Sequence, residues 1–225
     1  TPDQLTHLLR RARRALRLPR LLAEAAARLH ALPVEPLIAR LRERGGDPAE
    51  LSVGALLGDL AGQIRGLDHG ELTRALAWLE HTRPPERRQA LCHGDLHPNN
   101  LLVDDDGQWT LIDWTNARLA EPELDIAFTA ELLELAPVIV PRAARPLVRL
   151  GLRRASRMLQ AAYAARAELD PARVTWYQAL YRLQLLVRVE ADRAALPGAA
   201  VFPKSHPWRL VAPLAAARLR AALAS

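Results

Sequence analysis

The chain has 225 residues, half of them hydrophobic and a quarter charged, the balance of a globular protein with a sizeable core. All but one of its 31 basic residues are arginine and the formal charge is +6, but these arginines are spread through Ala- and Leu-rich stretches at helical spacing. No basic patch interleaves with aromatics, so a nucleic-acid partner is not expected, and the absence of an apolar run of about 18 residues argues against a membrane span.

A single cysteine, Cys92, excludes an internal disulfide and any multi-cysteine metal site, and fits a reducing, cytoplasmic compartment. Leu5, Leu8, Leu9, Ala12 and Leu16 recur at helical spacing, and a second helix is predicted from about Leu21 to Leu32, ended by Pro33. Gly45-Gly46-Asp47-Pro48 reads as a loop whose Asp47 caps a short helix. Gly45, Gly46 and Gly66 read as isolated turn residues, and Glu71–His81 as a helix closed by Pro84-Pro85. Leu101-Leu102-Val103 and Gln108-Trp109-Thr110-Leu111-Ile112, joined through Asp104-Asp105-Asp106-Gly107 with its Asp-Gly turn, carry a hairpin signal. Helices are then predicted over Leu124–Leu135, Ala143–Leu169, Pro171–Ala195 and Pro207–Ala224, the third opened by an Asp170 cap and Pro171 at the first position. The expected architecture is mainly α (α+β): one domain over 1–225, helical in 1–90 and 116–225, with a small catalytic β-hairpin inside 91–115.

Chemistry concentrates between His93 and Asp113. Asn100 enters the first strand of the hairpin and Asp113 leaves the second, so antiparallel pairing sets them side by side at its open end. An amide oxygen beside a carboxylate is a hard-oxygen pair suited to Mg²⁺. Asp95, five residues before Asn100, lies in a loop able to fold over the same end and accept a proton from an attacking hydroxyl. A base beside a metal pair is what phosphoryl transfer needs, since positioning and charge neutralisation dominate that reaction.

His93, Gly94, Asp95, His97 and Asn100, followed by Ile112-Asp113-Trp114, resemble the His-Gly-Asp-x-His-x-x-Asn loop and Ile-Asp-Trp end of the aminoglycoside phosphotransferase and choline kinase family, a branch of the protein-kinase-like fold. The resemblance implies a helical C-terminal lobe that transfers the γ-phosphate of ATP to a hydroxyl of a small molecule. Asp95 is then the catalytic base, Asn100 and Asp113 hold Mg²⁺, His97 touches the transferred phosphate and His93 is mainly architectural. Asp125 resembles a carboxylate that buttresses the catalytic loop, and Ala27–Leu32 a segment between hinge and loop. Family members also carry an N-terminal ATP-clamping lobe with a strand lysine. The one lysine here is Lys204, near the other end, and the chain starts at Thr1, so the expectation is a lobe whose N-terminal partner lies elsewhere in the same protein. Thr115 stands where many relatives carry an acid.

Two other functions compete at this stage. A metallohydrolase would use His93, Asp95 and His97 as a ligand cluster, and a non-catalytic pseudokinase or interaction module would explain the missing clamp. Asp104-Asp105-Asp106 reads as a solvated turn, Cys92 as a small buried residue, and Trp114, Trp176 and Tyr177 as core.

Overall fold

The computed structural model describes residues 17–104, 106–136, 141–196, 202 and 206–224 (backbone alone at 142). The predicted helix through Leu5–Leu16, Asp105 and Lys204 lie outside them. The protein is mostly helical: α1 (17–30), α2 (Glu35–Glu43), α3 (Val53–Leu67), α4 (Gly70–His81), α5 (Glu123–Leu135), α6 (Arg145–Ala164), α7 (Pro171–Ala194) and α8 (Trp208–Leu223). The strands are β1 (Ala90–Cys92), β2 (Leu101–Val103), β3 (Trp109–Leu111) and β4 (Arg118–Ala120).

Local chemistry explains several boundaries. The Asp170 carboxylate accepts from the N–H groups of Ala172 (2.9 Å) and Arg173 (3.4 Å), and Pro171 opens α7 where no donor is needed. Asp47 likewise caps the 3₁₀ turn Pro48–Leu51. Ser52 accepts from Ala55 N–H to start α3, a helix that sequence reasoning passed over. Gly66, expected in a turn, belongs to α3. Four glycines interrupt this helix on its open side, and buried Val53, Leu56, Leu57, Leu60 and Ile64 on the other outweigh their cost of about 1 kcal/mol each. α6 stops at Ala164, short of the expected Leu169, because the N–H groups of Arg166 and Ala167 both turn back to the Tyr163 carbonyl.

Two hydrophobic clusters share α5. Leu124 and Ala127 of α5 join α3, α4, α7 and α8 in one, while Ile126 and Ala130 join α1, α6 and the loop residue Leu96 in the other. α5 is thus buried almost all round, which makes it a fixed post for whatever is tied to it. Charge inside this packing is paired: Arg182 of α7 binds Glu131 of α5 through two bonds of 2.8 and 2.7 Å, and Arg218 of α8 adds a third at 3.0 Å. Arg173 similarly meets Glu121, which also accepts from the Tyr177 hydroxyl. Trp176 and Tyr177 are core, as expected.

The β2–β3 hairpin has the expected antiparallel register, Leu101 opposite Leu111 and Val103 opposite Trp109. It is accompanied by a second antiparallel pair, β1 with β4, in register Ala90–Ala120, Leu91–Leu119 and Cys92–Arg118. The expectation of one hairpin is therefore corrected to two two-stranded sheets, the second closing the base of the segment that holds the candidate site.

Candidate active site

Between β1 and β2 the chain must turn sharply, and Gly94 makes that possible. Its φ is +75°, and a Cβ there would lie 1.8 Å from the Asn116 carbonyl oxygen, so any side chain is excluded by both strain and contact. His93 before it is fully buried, and its Nε2 donates to the Ile112 carbonyl at 2.9 Å, tying the loop to the end of β3. Its Nδ1 has no partner among the described residues.

Asp125, fully buried at the start of α5, supports the loop. Its Oδ2 accepts from His93 N–H (2.7 Å) and its Oδ1 from Gly94 N–H (2.8 Å). The imidazole of His30, at the end of α1, places Nε2 3.0 Å from Oδ2, and its Nδ1 lies 2.9 Å from the Tyr163 hydroxyl. Thr129, one turn along α5, donates to the Leu96 carbonyl at 2.5 Å. The loop is thus held by backbone bonds to a rigid helix, independently of solvent. Asp125 has the supporting role expected of it, whereas His30 was missed, because a lone histidine at a helix end gives no sequence signal.

Beyond this support, hydrogen bonds tie Asn100 to Asp95 and to Ile112, the residue before Asp113. Asn100, in the 3₁₀ turn Pro98–Asn100, is buried, and its Nδ2 donates to the Asp95 carbonyl at 2.9 Å. That bond identifies which end of the amide is nitrogen and leaves Oδ1 as the free acceptor. The N–H of Ile112 donates to the Asn100 carbonyl at 3.1 Å, extending the hairpin ladder by one pair. Asp113 follows directly, exposed and in the left-handed region at φ 63°. Such a φ costs a non-glycine residue about 1–2 kcal/mol and is maintained here by the surrounding bonds. The Thr115 hydroxyl donates to Asp113 Oδ1 at 2.7 Å. This bond first, and then the Thr115 backbone N–H, hold the Asp113 carboxyl below the usual carboxylate range. Asp113 is therefore a committed anion with one oxygen left free. Thr115, an apparent departure from the family pattern, works as a partner to Asp113.

Asp95 and His97 face one another: Nε2 of His97 lies 3.5 Å from Asp95 Oδ1, and both side chains are partly open to solvent. Nδ1 of His97 accepts from Asn99 N–H at 3.2 Å, so a neutral ring carries its proton on the nitrogen turned toward Asp95. His93, Asp95 and His97 do not form the metal cluster considered from sequence, since their ligand atoms do not converge among the described residues. Among the described residues, the His, Cys, Asp and Glu side chains that converge are His30, Cys92 and Asp125, all buried. Asp125 already accepts three bonds there, and burial, followed by the charges of Asp125 and Glu123, pushes the Cys92 thiol well up, so neither is free as a ligand. Trp114 corrects another expectation. It is 42% exposed rather than core, lying over the His93 ring at 4.8 Å with its Nε1 donating to the Leu111 carbonyl.

A hard-oxygen pair, an adjacent carboxylate and a loop fixed from behind are the geometry against which known proteins can be compared. An aminoglycoside 3'-phosphotransferase of Streptomyces ribosidificus is 37% identical over 119 residues, covering 51% of this chain and 44% of that protein. Its counterpart in Streptomyces fradiae is 37% identical over 122 residues, with the same coverages. A shorter stretch of 55 residues is 44% identical to the uncharacterized protein YcbJ of Bacillus subtilis strain 168, over 20% of this chain and 18% of that one. The chain thus spans less than half the length of the curated relatives it matches. Among solved structures, that of a spectinomycin phosphotransferase in complex with ADP and spectinomycin aligns with 90% of this chain and 60% of its own, at 15% identity and a TM-score of 0.42. No described helix is long and apolar enough to cross a membrane. The profile of the phosphotransferase enzyme family matches residues 4–177, more than half of the sequence, and the chain belongs to that family.

Proposed function

We propose that this protein transfers the γ-phosphoryl group of ATP to a hydroxyl of a small molecule. The observation that carries the reading is the joint placement of Asp95, Asn100 and Asp113. The Asn100 amide is locked to the Asp95 carbonyl at 2.9 Å, and Asp113 follows the residue paired with Asn100. Family membership supports the same reading.

The donor set fits Mg²⁺: Asn100 Oδ1 and the free Asp113 oxygen are hard ligands, few enough to leave room for water and substrate phosphates. When bound there, Mg²⁺ would neutralise phosphate charge during transfer. Asp113 is kept anionic by Thr115, and Asn100 is kept oxygen-outward by its bond to Asp95. Asp95 orients the acceptor hydroxyl and takes its proton. As the acceptor oxygen bonds to the γ-phosphorus, the bond from that phosphorus to the ADP oxygen breaks and ADP leaves. His97, with its N–H turned toward Asp95, orients the base carboxylate, and from the same position it reaches toward the transferred group. Asp125 acts at one remove, through the backbone of His93 and Gly94.

Asp95→Ala in the longest form of the protein that its gene encodes should lower kcat by about 10²–10⁴ while Mg·ATP binding, read by calorimetry, is unchanged. Turnover within tenfold of the parent would remove Asp95 from the role of base.

A further inference from the structure

The charge of the chain is gathered on one helix. Residues 135–167 hold seven arginines and no Asp or Glu, so with +6 on the whole chain the remainder carries −1. Most of that stretch is α6, whose buried residues are Ser156, Leu159 and Tyr163, the last two packed with α1 and α5. Leu147, Leu150, Arg154 and Arg157 follow one another at steps of three, four and three, which sets them in one stripe on the opposite side, about 15 Å long. Leu147 is 73% exposed and Leu150 62%, more than any other large hydrophobic side chain among the described residues. Arg153 is exposed beside them and Arg149 half-exposed.

On other helices, arginines are paired along their own helix: Arg28 with Glu24, Arg40 with Glu43, Arg188 with Asp192 and Arg193 with Glu190. Arg149, Arg153, Arg154 and Arg157 make no ion pair with any described residue. Arg149, Arg153 and Arg157 stand four apart, a spacing at which like charges destabilise a helix. Leu147 and Leu150 add nothing to either core cluster. Folding therefore does not account for this stripe, and its chemistry selects a partner. Guanidinium groups bind phosphate through paired bonds. A nucleic-acid backbone would meet the arginines but give the leucines nothing apolar. A stable protein interface needs about 800 Å² per partner, much more than one short stripe presents. An anionic phospholipid surface supplies both chemistries, phosphate at the headgroups and hydrocarbon just beneath.

We propose that the first half of α6 rests on an anionic phospholipid surface, with Leu147 and Leu150 entering the headgroup–acyl boundary and Arg149, Arg153, Arg154 and Arg157 binding lipid phosphates. A helix lying in that plane need not span the bilayer, and no described helix is long and apolar enough to do so. The contact lies away from the candidate active site. Tyr163 is the residue of α6 that reaches the loop support, through His30, and Leu147 is about 24 Å from it along the helix axis. The proposal is thus independent of the phosphotransferase reading.

The test is co-sedimentation of the longest form that the gene encodes with vesicles of phosphatidylcholine alone or of phosphatidylcholine and phosphatidylglycerol in equal parts. The expected result near 0.1 M NaCl is binding to the anionic vesicles only, released toward about 1 M as the screening length falls from about 10 to about 3 Å. Replacing three arginines together (Arg153→Gln, Arg154→Gln, Arg157→Gln) should weaken binding about 10²-fold, roughly fivefold per charge. Replacing both leucines (Leu147→Gln, Leu150→Gln) should weaken it about tenfold. Both variants change exposed side chains and should keep Tm within about 2 °C of the parent. Equal binding to the two vesicle types, or to neither, overturns the proposal. So does anionic binding that survives both variants, since it then belongs to another surface. A loss with the arginines that the leucines do not reproduce also overturns it. Such a stripe reads charge alone, and duplex DNA and polyglutamate at the same salt then distinguish a nucleic acid from an acidic peptide.

Discussion

Replacing Asp125 by Asn preserves its volume and tests whether the catalytic loop is held as its hydrogen bonds indicate. The carboxylate accepts three bonds, from His93 N–H, Gly94 N–H and His30 Nε2, between 2.7 and 3.0 Å and out of contact with water. An amide offers one oxygen, and whichever way it turns, its NH₂ confronts a backbone donor that is then orphaned. A buried unsatisfied donor costs about 1–3 kcal/mol, and the loss of negative charge weakens the bonds that remain, which were worth about 1.5–3 kcal/mol each. The sum is about 3–5 kcal/mol, a large part of a total stability of about 5–15 kcal/mol. For a chain of this size it should lower Tm by on the order of 10 °C. Thermal and urea unfolding followed by circular dichroism would measure this, and hydrogen exchange at His93 and Gly94 would localise it. A variant within about 1 kcal/mol of the parent, with unchanged protection at those amides, would refute the account of loop support. In the folded fraction kcat should fall by about 10², the usual consequence of moving a base by about 1 Å.

Other perturbations isolate single features. Thr115→Val removes the hydroxyl that holds Asp113 Oδ1. The Asp113 carboxyl, depressed in the folded state, should then titrate closer to the ordinary carboxylate range, so that Mg²⁺ binding fails at a higher pH as acid is added. NMR titration of that carboxyl would check this, and an unmoved midpoint would refute it. Arg182→Ala leaves the buried Glu131 with Arg218 alone and should cost about 3–5 kcal/mol in urea unfolding, whereas a cost under 1 kcal/mol would mean that water already compensates Glu131. Cys92, buried and with its thiol pushed up, should resist iodoacetamide in the native protein at pH 8 and react on denaturation; rapid native labelling would contradict its placement.

The hairpin segment that carries the candidate site was more legible in the sequence than the frame that holds it. Asp95, Asn100 and Asp113 lie within one short segment, and an Asp-Gly turn between two apolar runs was enough to bring its ends together. α7 was legible because Asp170 and Pro171 state its start in side-chain chemistry. β1 and β4 were not, because each has three residues with no alternation, and their pairing is set by contacts between positions 90 and 120. α3 was hidden by glycines that lower local propensity, and its helicity comes from a buried face that only tertiary packing provides. Trp114 misled in the opposite sense, since a tryptophan next to a buried histidine suggests core, whereas the chain there is already leaving the sheet. His30 reaches Asp125 across 95 positions of sequence, a separation at which no local pattern exists.

The two small sheets also bear on how the segment forms and what it tolerates. Pairing of Cys92 with Arg118 closes a loop over residues 93–117, and the β2–β3 pair sits wholly inside that loop. Closing a long loop costs entropy that grows with the logarithm of its free length, so an inner hairpin already zipped shortens the span the outer pair has to bridge. Loop entropy alone therefore favours a nested order, with the turn near Gly107 closing before the β1–β4 base. Every residue inserted at that turn lengthens the inner loop alone. Change there is kinetically and thermodynamically insulated from the base of the segment, so the tip near Gly107 is where a label or an added sequence can be carried with least disturbance to the Asp95, Asn100 and Asp113 end.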